Sequence, residues 1–204
     1  ASWQPGDEGV NTLLFRDASL MRSRSRDLVR RNTWATNALD SLVANLIGTG
    51  IKPQSTYSDP ALKEQIQSLW LDWTKEADAH GLCGFYGLQA LVARAMIEGG
   101  EVLVRFRNRE ERDGLVVPLQ LQVLEPEHLP ASMNQDLPNG HRIRAGIEFN
   151  KIGQRVAYHL YREHPGESPM LYQSGDMSRV PASEICHIFK PLRPGQLRGE
   201  PWFA

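Results

Sequence analysis

The strongest constraint on the fold is a change in the spacing of apolar residues at Gly99-Gly100. Before these glycines, apolar residues recur at intervals of three, four and seven positions, which is typical of one face of an amphipathic helix. After them, apolar residues occupy every second position from Val102 to Phe106, the period of a strand. Helices grouped before strands indicate an α+β fold rather than alternating α/β units.

The part before Gly99-Gly100 predicts three N-terminal helices. The first runs from Ser23 to Ile47, but Asn32-Thr33 offers an N-cap in its middle, so two helices fit the pattern as well as one. A second helix begins at Asp59-Pro60, and a third spans about Phe85 to Glu98. Three tryptophans on the apolar faces of these helices are predicted to lie in the core: Trp34, Trp70 and Trp73.

The part after Gly99-Gly100 predicts a mainly antiparallel sheet of about five strands. Its clearest hairpin has apolar residues alternating from Ile143 to Phe149, a turn at 150–153 and a return strand at 156–160. A loop rich in Gly, Pro and Ser covers about His164 to Ser178 and leads to a last strand at Ile185 to Phe189.

These patterns divide the chain into four parts. We predict an extended arm at 1–20, a helical subdomain at 21–100, an antiparallel β subdomain at 101–190, and a connection at 191–204 leading to further chain. The arm shows no sustained period, and the last residues stop inside an apolar stretch without a cap, so we expect a piece of a longer protein. No apolar run is long enough to span a membrane, and no membrane partner is expected.

Charge is balanced overall but segregated along the chain. The net charge is −1, yet Arg16 to Arg31 holds six arginines against two aspartates, and 59–78 carries a net charge of −3. A basic helix can line a phosphate backbone or pair with acidic side chains at an interface. The candidate subunit-interface or DNA-contact residues are Arg22, Arg24, Arg26, Arg30 and Arg31.

The motifs of common catalytic sites are missing from the sequence. There is no GxSxG elbow, phosphate-binding glycine loop, HExxH pair or EF-hand loop, and Cys83 and Cys186 have no metal-ligand spacing. A metal-dependent hydrolase would have to use His159, Glu163 and His164, although positions 159 and 164 face apart in a strand. We therefore assign no catalytic residue, no cofactor and no metal ligand.

Several stretches, in one order, resemble the lambda-type portal proteins of tailed phages. They are Ser25 to Asn32 (SRDLVRRN), Ala38 to Ile51 (ALDSLVANLIGTGI), Gly99 to Arg105 (GGEVLVR), Gly146 to Tyr158, Val180 to His187 (VPASEICH) and Leu192 to Gly199 (LRPGQLRG). The resemblance covers nearly the whole chain.

The resemblance implies a structural, non-enzymatic subunit of a dodecameric ring at one capsid vertex. Double-stranded DNA passes through such a ring, which docks the terminase and later the head–tail joining proteins. The chain is similar to the peripheral wing of the subunit, and the implied location is the virion, or the bacterial cytoplasm during assembly or when the gene lies in a prophage. The alternative is a small nucleic-acid-binding module that uses the Arg-rich 16–31 segment.

Within a ring, the wing interpretation gives the arginines a pairing role. Because a ring joins two different patches of each subunit, the basic 16–31 segment and the acidic 59–78 helix are a candidate pair. We expect Arg22, Arg24 and Arg26 to pair with acidic side chains on the 59–78 helix or on a neighbouring subunit.

Overall fold

A computed structural model describes residues 6–167 and 176–203 of the chain. Within these residues, α-helices precede two antiparallel sheets, so the predicted α+β class is confirmed. The helices are α1 (Val10–Arg31), α2 (Thr33–Ile47), α3 (Pro60–Glu76) and α4 (Phe85–Gly99). The strands are β1 (Glu101–Asn108), β2 (Leu119–Leu124), β3 (Gln135–Asp136), β4 (Arg142–Arg144), β5 (Ile147–Phe149), β6 (Arg155–Tyr161), β7 (Met177–Pro181) and β8 (Ile185–Phe189).

The first predicted helical stretch is two helices, which meet at Asn32. The backbone of Asn32 is extended, with φ −120° and ψ 111°, and its side-chain oxygen accepts hydrogen bonds from the N–H groups of Trp34 and Ala35. Such a cap satisfies backbone donors that a new helix leaves without partners. The described residues therefore hold four helices where the spacing predicted three.

The prediction of an extended arm at 1–20 is wrong for residues 10–20, which form the first half of α1. The buried residues of α1 recur at helical spacing: Leu14, Ala18, Arg22, Ser25 and Val29. Because an arginine and a serine occupy two of these positions, the apolar repeat is broken and the helix is hidden in the sequence. Residues 1–5 lie outside the described part.

The other two predicted helices are confirmed. Asp59 accepts a hydrogen bond from Ala61 N at 2.8 Å, and Pro60 is the first residue of α3. Helix α4 ends at Gly99 and is followed by the capping residue Gly100, whose φ of 87° is in the left-handed region that a glycine adopts without strain.

The eight described strands form two sheets instead of one sheet of about five. Their orders are β2-β1-β8 and β3-β4-β5-β6-β7, with antiparallel neighbours throughout. Ala145 and Gly146 have positive φ values of 51° and 80°, so the predicted strand from Ile143 to Phe149 turns back on itself as β4 and β5. Of the loop predicted at about 164–178, residues 168–175 lie outside the described part, and 177–178 begin β7.

The pairing of β8 with β1 joins distant parts of the chain. Glu101 lies opposite Phe189 and Leu103 opposite His187, which makes β1 the central strand of its sheet. One core lies between the two sheets, where Leu103 packs with residues of β5, β6 and β7. A second core lies between α3, α4 and the other face of the three-stranded sheet.

The subdomain limits at 21–100, 101–190 and 191–204 stay predictions, because secondary structure alone does not define a domain. Across the described ranges, no helix is both long and apolar enough to cross a membrane.

Candidate interface surfaces and charged clusters

The five candidate arginines lie on different sides of α1. Arg22 is buried, with 5% of its surface exposed, and Arg26 is half-buried. Arg24, Arg30 and Arg31 are exposed. Arg30 and Arg31 both pair with the carboxylate of Asp27 on the same helix, at 2.7 and 2.9 Å. Arg24 has no ion pair among the described residues.

Arg22 and Arg26 bind carboxylates that follow β2, not the 59–78 helix. Arg26 donates two hydrogen bonds to Glu127, at 2.9 and 3.0 Å, and Arg22 donates one at 3.1 Å. Arg26 also lies 3.3 Å from Glu125. Burial raises the pKa of Glu127, but the two guanidiniums outweigh it and the pKa is lowered. Arg22 is thus used for pairing inside the chain and is not available to a neighbouring subunit. The exposed arginines stay as the candidate interface residues: Arg24, Arg30 and Arg31.

The same arginines limit the nucleic-acid alternative. A helix that follows a phosphate backbone needs its cations on one accessible face. Because Arg22 and Arg26 turn inward to Glu127, the 16–31 segment presents no continuous basic face. The structure does not support the small nucleic-acid-binding module.

A fully buried carboxylate, Glu101, lies at the start of β1. It accepts hydrogen bonds from Arg198 Nε at 2.8 Å, Gly199 N at 2.9 Å and His187 Nε2 at 2.8 Å. Arg22 Nη1 lies 3.6 Å from it, an ion pair without a hydrogen bond. Burial opposes ionisation, but Arg198 and His187 hold the pKa of Glu101 well below its usual range.

His187 is a neutral donor in this cluster. Arg155 approaches its Nδ1 at 3.1 Å, and since a guanidinium can only donate, Nδ1 accepts. The ring proton is therefore on Nε2 and points to Glu101. Burial lowers the pKa of His187, which keeps the ring uncharged. With the side chains of His187 and Glu101 each 1% exposed, the pair stabilises the fold and offers no open face to a substrate.

The segment predicted as a connection, 191–204, folds back onto the helices. Arg198 donates to the carbonyl groups of Leu129 and Pro126 at 3.0 Å each. Trp202 N donates to Ile97 O at 3.0 Å, and Phe203 packs on the small core that α1, α2 and α4 share. This segment is therefore part of the packed structure up to residue 203.

Another buried carboxylate, Glu148 of β5, contacts an arginine and two histidines from neighbouring parts of the sheet. Arg179 donates to it at 2.7 and 3.1 Å, and one ring nitrogen each of His141 and His159 lies at 2.8 and 3.1 Å. The hydrogen bond from Arg179 lowers the pKa of Glu148 to about 2, against the opposing effect of burial. His159 is thus bound to Glu148.

The metal-dependent hydrolase has no assembled site in the described residues. His159 contacts Glu148, whereas His164 Nε2 lies 3.1 Å from Glu125, and Glu163 is exposed. The three residues that this alternative requires therefore do not share a partner.

A different trio could in principle hold a metal ion: ligand atoms of Glu125, Glu127 and His164 lie within 4.8 Å of one another. Arg26 already neutralises both carboxylates. The N–H of Gly166 donates to His164 Nδ1 at 3.0 Å, whereas a metal-bound imidazole uses its second nitrogen as a donor. The donor set does not fit a metal ion.

The acidic 59–78 segment is also partly used within the chain. Asp59 caps α3, Asp78 accepts three N–H groups of the following turn, and Asp72 pairs with Lys75 at 2.9 Å. Glu64 is exposed and has no ion pair among the described residues. The acidic surface available to a partner is smaller than the charge count indicates.

Exposed apolar side chains accompany these charges. Trp34 is 84% exposed, so its predicted place in the core is wrong, while Trp73 is buried as predicted. On α3, Leu62, Ile66 and Leu69 are 41–49% exposed. Beside them is an open groove of about 250 Å³ with an apolar lining: Ile66, Leu69, Trp70, Trp73, Val117 and Leu119.

Comparison with known proteins decides the family. The profile described as "Phage portal protein, lambda family" matches residues 1–204, the whole sequence. The chain belongs to the lambda family of phage portal proteins. The resemblance on which the sequence analysis depended is confirmed.

Curated portal proteins match almost the full portal chain. The chain is 30% identical over 200 residues to the probable portal protein of Halomonas phage phiHAP-1. This match covers 93% of the chain and 38% of that protein. The chain is 20% identical to the portal protein of Escherichia phage N15 and 22% identical to portal protein B of Escherichia phage lambda, in each case over 97% of the chain and 40% of the relative. The portal chain thus spans about two fifths of the length of these relatives.

Sequence reasoning missed the Glu101 cluster of the portal chain. Two signals were present: a glutamate at the start of an otherwise apolar strand, Glu101, and an arginine beside a glycine near the end, Arg198. A charged residue in such a place is usually paired when buried. The sequence does not show that Glu101 and Arg198 pair with each other, because the two residues lie 97 positions apart.

Proposed function

We propose that this chain is part of a structural subunit of the phage portal ring, the capsid-vertex channel through which double-stranded DNA is packaged and ejected. The single observation that supports it is the family match over the whole chain. We expect a structural and not an enzymatic role, and in keeping with it the buried carboxylates of the described residues, Asp78, Glu101 and Glu148, all accept hydrogen bonds from within the chain. The chain forms the peripheral wing of the subunit.

The proposed partners are those of a portal vertex: further copies of itself, the terminase, the capsid and head–tail joining proteins, and DNA in the channel. The proposed location is the virion, with the bacterial cytoplasm as the site of assembly. A subunit of this kind needs two different surface patches that fit each other around the ring.

Two surfaces of the chain are suited to that contact. One is the exposed end of α1 and start of α2, with Arg30, Arg31 and Trp34. The other is the outer face of α3, with Glu64 and the apolar groove. A cationic patch with an exposed indole complements an acidic helix with an open apolar groove. We assign the groove to a second copy of the chain.

Charge reversal in the complete gene product tests this assignment. Changing Arg24, Arg30 and Arg31 to Glu should remove most rings, measured by native mass spectrometry, because each copy would meet the acidic helix of its neighbour with like charge. Arg26 is left unchanged because its reversal would disturb the pair with Glu127.

A charge-matched control uses three exposed arginines elsewhere, Arg112, Arg142 and Arg193, which should still form rings when changed to Glu. Normal rings from the first triple variant would reject the α1–α3 contact while leaving the portal function intact. A wild-type protein that forms no ring would count against the portal function itself.

A further inference from the structure

Two arginines lie along one face of β1. Arg105 and Arg107 are two positions apart, so they share a face, while Val104 and Phe106 pack in the core on the other side. Arg109 follows the strand, and its Nε donates to Gln120 at 2.9 Å. In the antiparallel register, Arg105 lies opposite Gln122 of β2 and Arg107 opposite Gln120. Around Arg105 and Arg107 this face presents guanidinium and amide groups. The carboxylate of Glu101, farther along the same face of β1, is bound to Arg198 and His187.

This face forms one wall of a cleft between the two sheets. The cleft has a volume of about 480 Å³ and is open to solvent on one side. Arg105, Arg107 and Gln122 line it from the three-stranded sheet. Arg162, just after β6, and Ser178 of β7 line it from the five-stranded sheet. Three guanidinium groups thus converge on one polar space.

Arg105 has no neutralising partner in the cleft. Its Nε is buried without a hydrogen bond, and it makes no ion pair with any described residue. Burial, and then the charge of Arg107, lower the pKa of Arg105, with the carboxylate of Glu184 opposing them. Arg107 has one long bond, 3.4 Å, to the amide oxygen of Gln122. Arg162 pairs with Asp176 at 3.2 Å.

The arginines packed around the Glu101 and Glu127 carboxylates differ from Arg105. Arg22 and Arg198, which are buried, and Arg26, which is half-buried, each bind a carboxylate within the chain. Arg105 is half-buried, and its buried Nε has no such partner. An unpaired polar group of a cation is costly where it is shielded from water, so this position is explained if an anion from outside supplies the hydrogen-bond acceptor and the charge. Several guanidinium groups around one space are suited to the oxygens of a phosphate group.

We propose that the cleft binds a phosphate oxyanion, held by Arg105 and Arg107, with Arg162 at the mouth and the neutral groups of Gln122 and Ser178 as further contacts. The volume exceeds that of a single phosphate group, so the anion can carry a substituent. Free phosphate and the phosphodiester backbone of a nucleic acid are the two sources of this chemistry. The inference does not rest on the portal function.

Isothermal titration calorimetry of the complete gene product with inorganic phosphate, at constant ionic strength, tests the proposal. We expect saturable binding that weakens about tenfold for each of Arg105→Gln and Arg107→Gln, since each removes charge-assisted hydrogen bonds. Arg112→Gln, which removes an exposed arginine of the β1–β2 tip, is the matched control and should bind like wild type. Acetate at the same ionic strength should not bind.

Equal phosphate binding by wild type and both cleft variants, equal binding of acetate, or no phosphate binding by wild type would overturn the proposal. Circular dichroism establishes that each variant is folded; if Arg105→Gln is not, Arg107→Gln is used for the test. A short DNA duplex then separates the two sources. Duplex binding that Arg107→Gln weakens and phosphate competes indicates the backbone, whereas phosphate binding without duplex binding indicates the free anion.

Discussion

At the scale of single residues, the most deeply buried charged group of the described chain is the carboxylate of Glu101, which lies among basic side chains. Its carboxylate accepts from His187, Arg198 and Gly199 and faces Arg22. Among the described residues, Arg198 has no carboxylate partner except Glu101, whereas Arg22 also pairs with Glu127 at 3.1 Å. Exposed ion pairs such as that of Arg30 contribute little to stability, whereas a buried pair that loses one member leaves an uncompensated charge.

Replacing Glu101 by Gln should therefore be among the most damaging isosteric changes in the chain. The amide keeps the shape but removes the charge, so Arg198 stays buried without a carboxylate, while Arg22 keeps its pair with Glu127. We expect the free energy of unfolding to fall by about 3–5 kcal/mol, measured by urea denaturation at pH 7. Glu111→Gln on the exposed β1–β2 tip is the control and should change it by less than about 0.5 kcal/mol. Equal stability of the two variants would contradict the role given to Glu101.

At the scale of elements, the helix boundaries depend on local capping groups. Asn32 donates its backbone N–H to Leu28 O at the end of α1, and its side chain caps the start of α2. Thr36 strengthens the corner by donating to the carbonyl group of Val29. Because the corner sets the direction of α2, it also places the exposed Trp34 next to the arginines at the end of α1. The candidate ring surface is therefore a consequence of this cap.

Asn32→Ala should lower the free energy of unfolding by about 1 kcal/mol, the usual cost of losing an N-cap side chain. Asn37→Ala, an exposed position inside α2, is the matched control and should be neutral or slightly stabilising, since alanine favours helix. Chemical denaturation followed by far-UV circular dichroism measures both. A neutral Asn32→Ala would mean that the break is held by packing instead of the cap.

Elements with a simple repeat and a local start signal were predictable from sequence. Helix α3 with Asp59-Pro60 and the β5–β6 hairpin with its turn at 150–153 are examples. The first half of α1 was not, because Arg22 and Ser25 occupy its inward face. The turn at Ala145 was not either, since an alanine gives no sign of a positive φ.

The site was less predictable than the fold. The arginines of α1 could be picked out as a group, but their partners could not. Arg26 binds Glu127 across 101 positions of the chain, and no local pattern records such a pair. The lack of an ion pair at Arg105 could not be predicted from sequence either. The alternation of residues in β1 predicts the face on which Arg105 lies, but not whether a carboxylate from another strand lies beside it.

At the scale of the whole molecule, the two ends of the described chain are joined. Asn11 donates to Gly195 O and accepts from Leu197 N, both at 2.9 Å. The last segment also passes so close to the end of α4 that a Cβ on Gly199 would overlap the carbonyl group of Gly100. Helices, central strand and final segment are therefore held as one unit.

Gly199→Ala should displace the final segment from its packed position against Gly100. We expect a loss of about 1–3 kcal/mol in the free energy of unfolding, as for other overpacked sites. Hydrogen exchange of the Trp202 amide, which donates to Ile97, should also become faster. Gly9→Ala, where a Cβ meets nothing within 4 Å, is the control. Unchanged exchange at Trp202 in the Gly199 variant would show that the segment adjusts without cost.

The closure of the chain on itself also has a consequence for the order of events during synthesis. A ribosome delivers Arg22 and Glu101 long before Arg198 and Phe203, and domains tend to fold from the N-terminal side as they emerge. The N-terminal part of this chain cannot complete its packing early. Strand β1 lacks its neighbour β8, and Glu101 lacks Arg198, until these later residues have left the exit tunnel. The native packing around Glu101 is therefore completed only after residues 198–203 have emerged, and until then the helices that precede them lack these contacts.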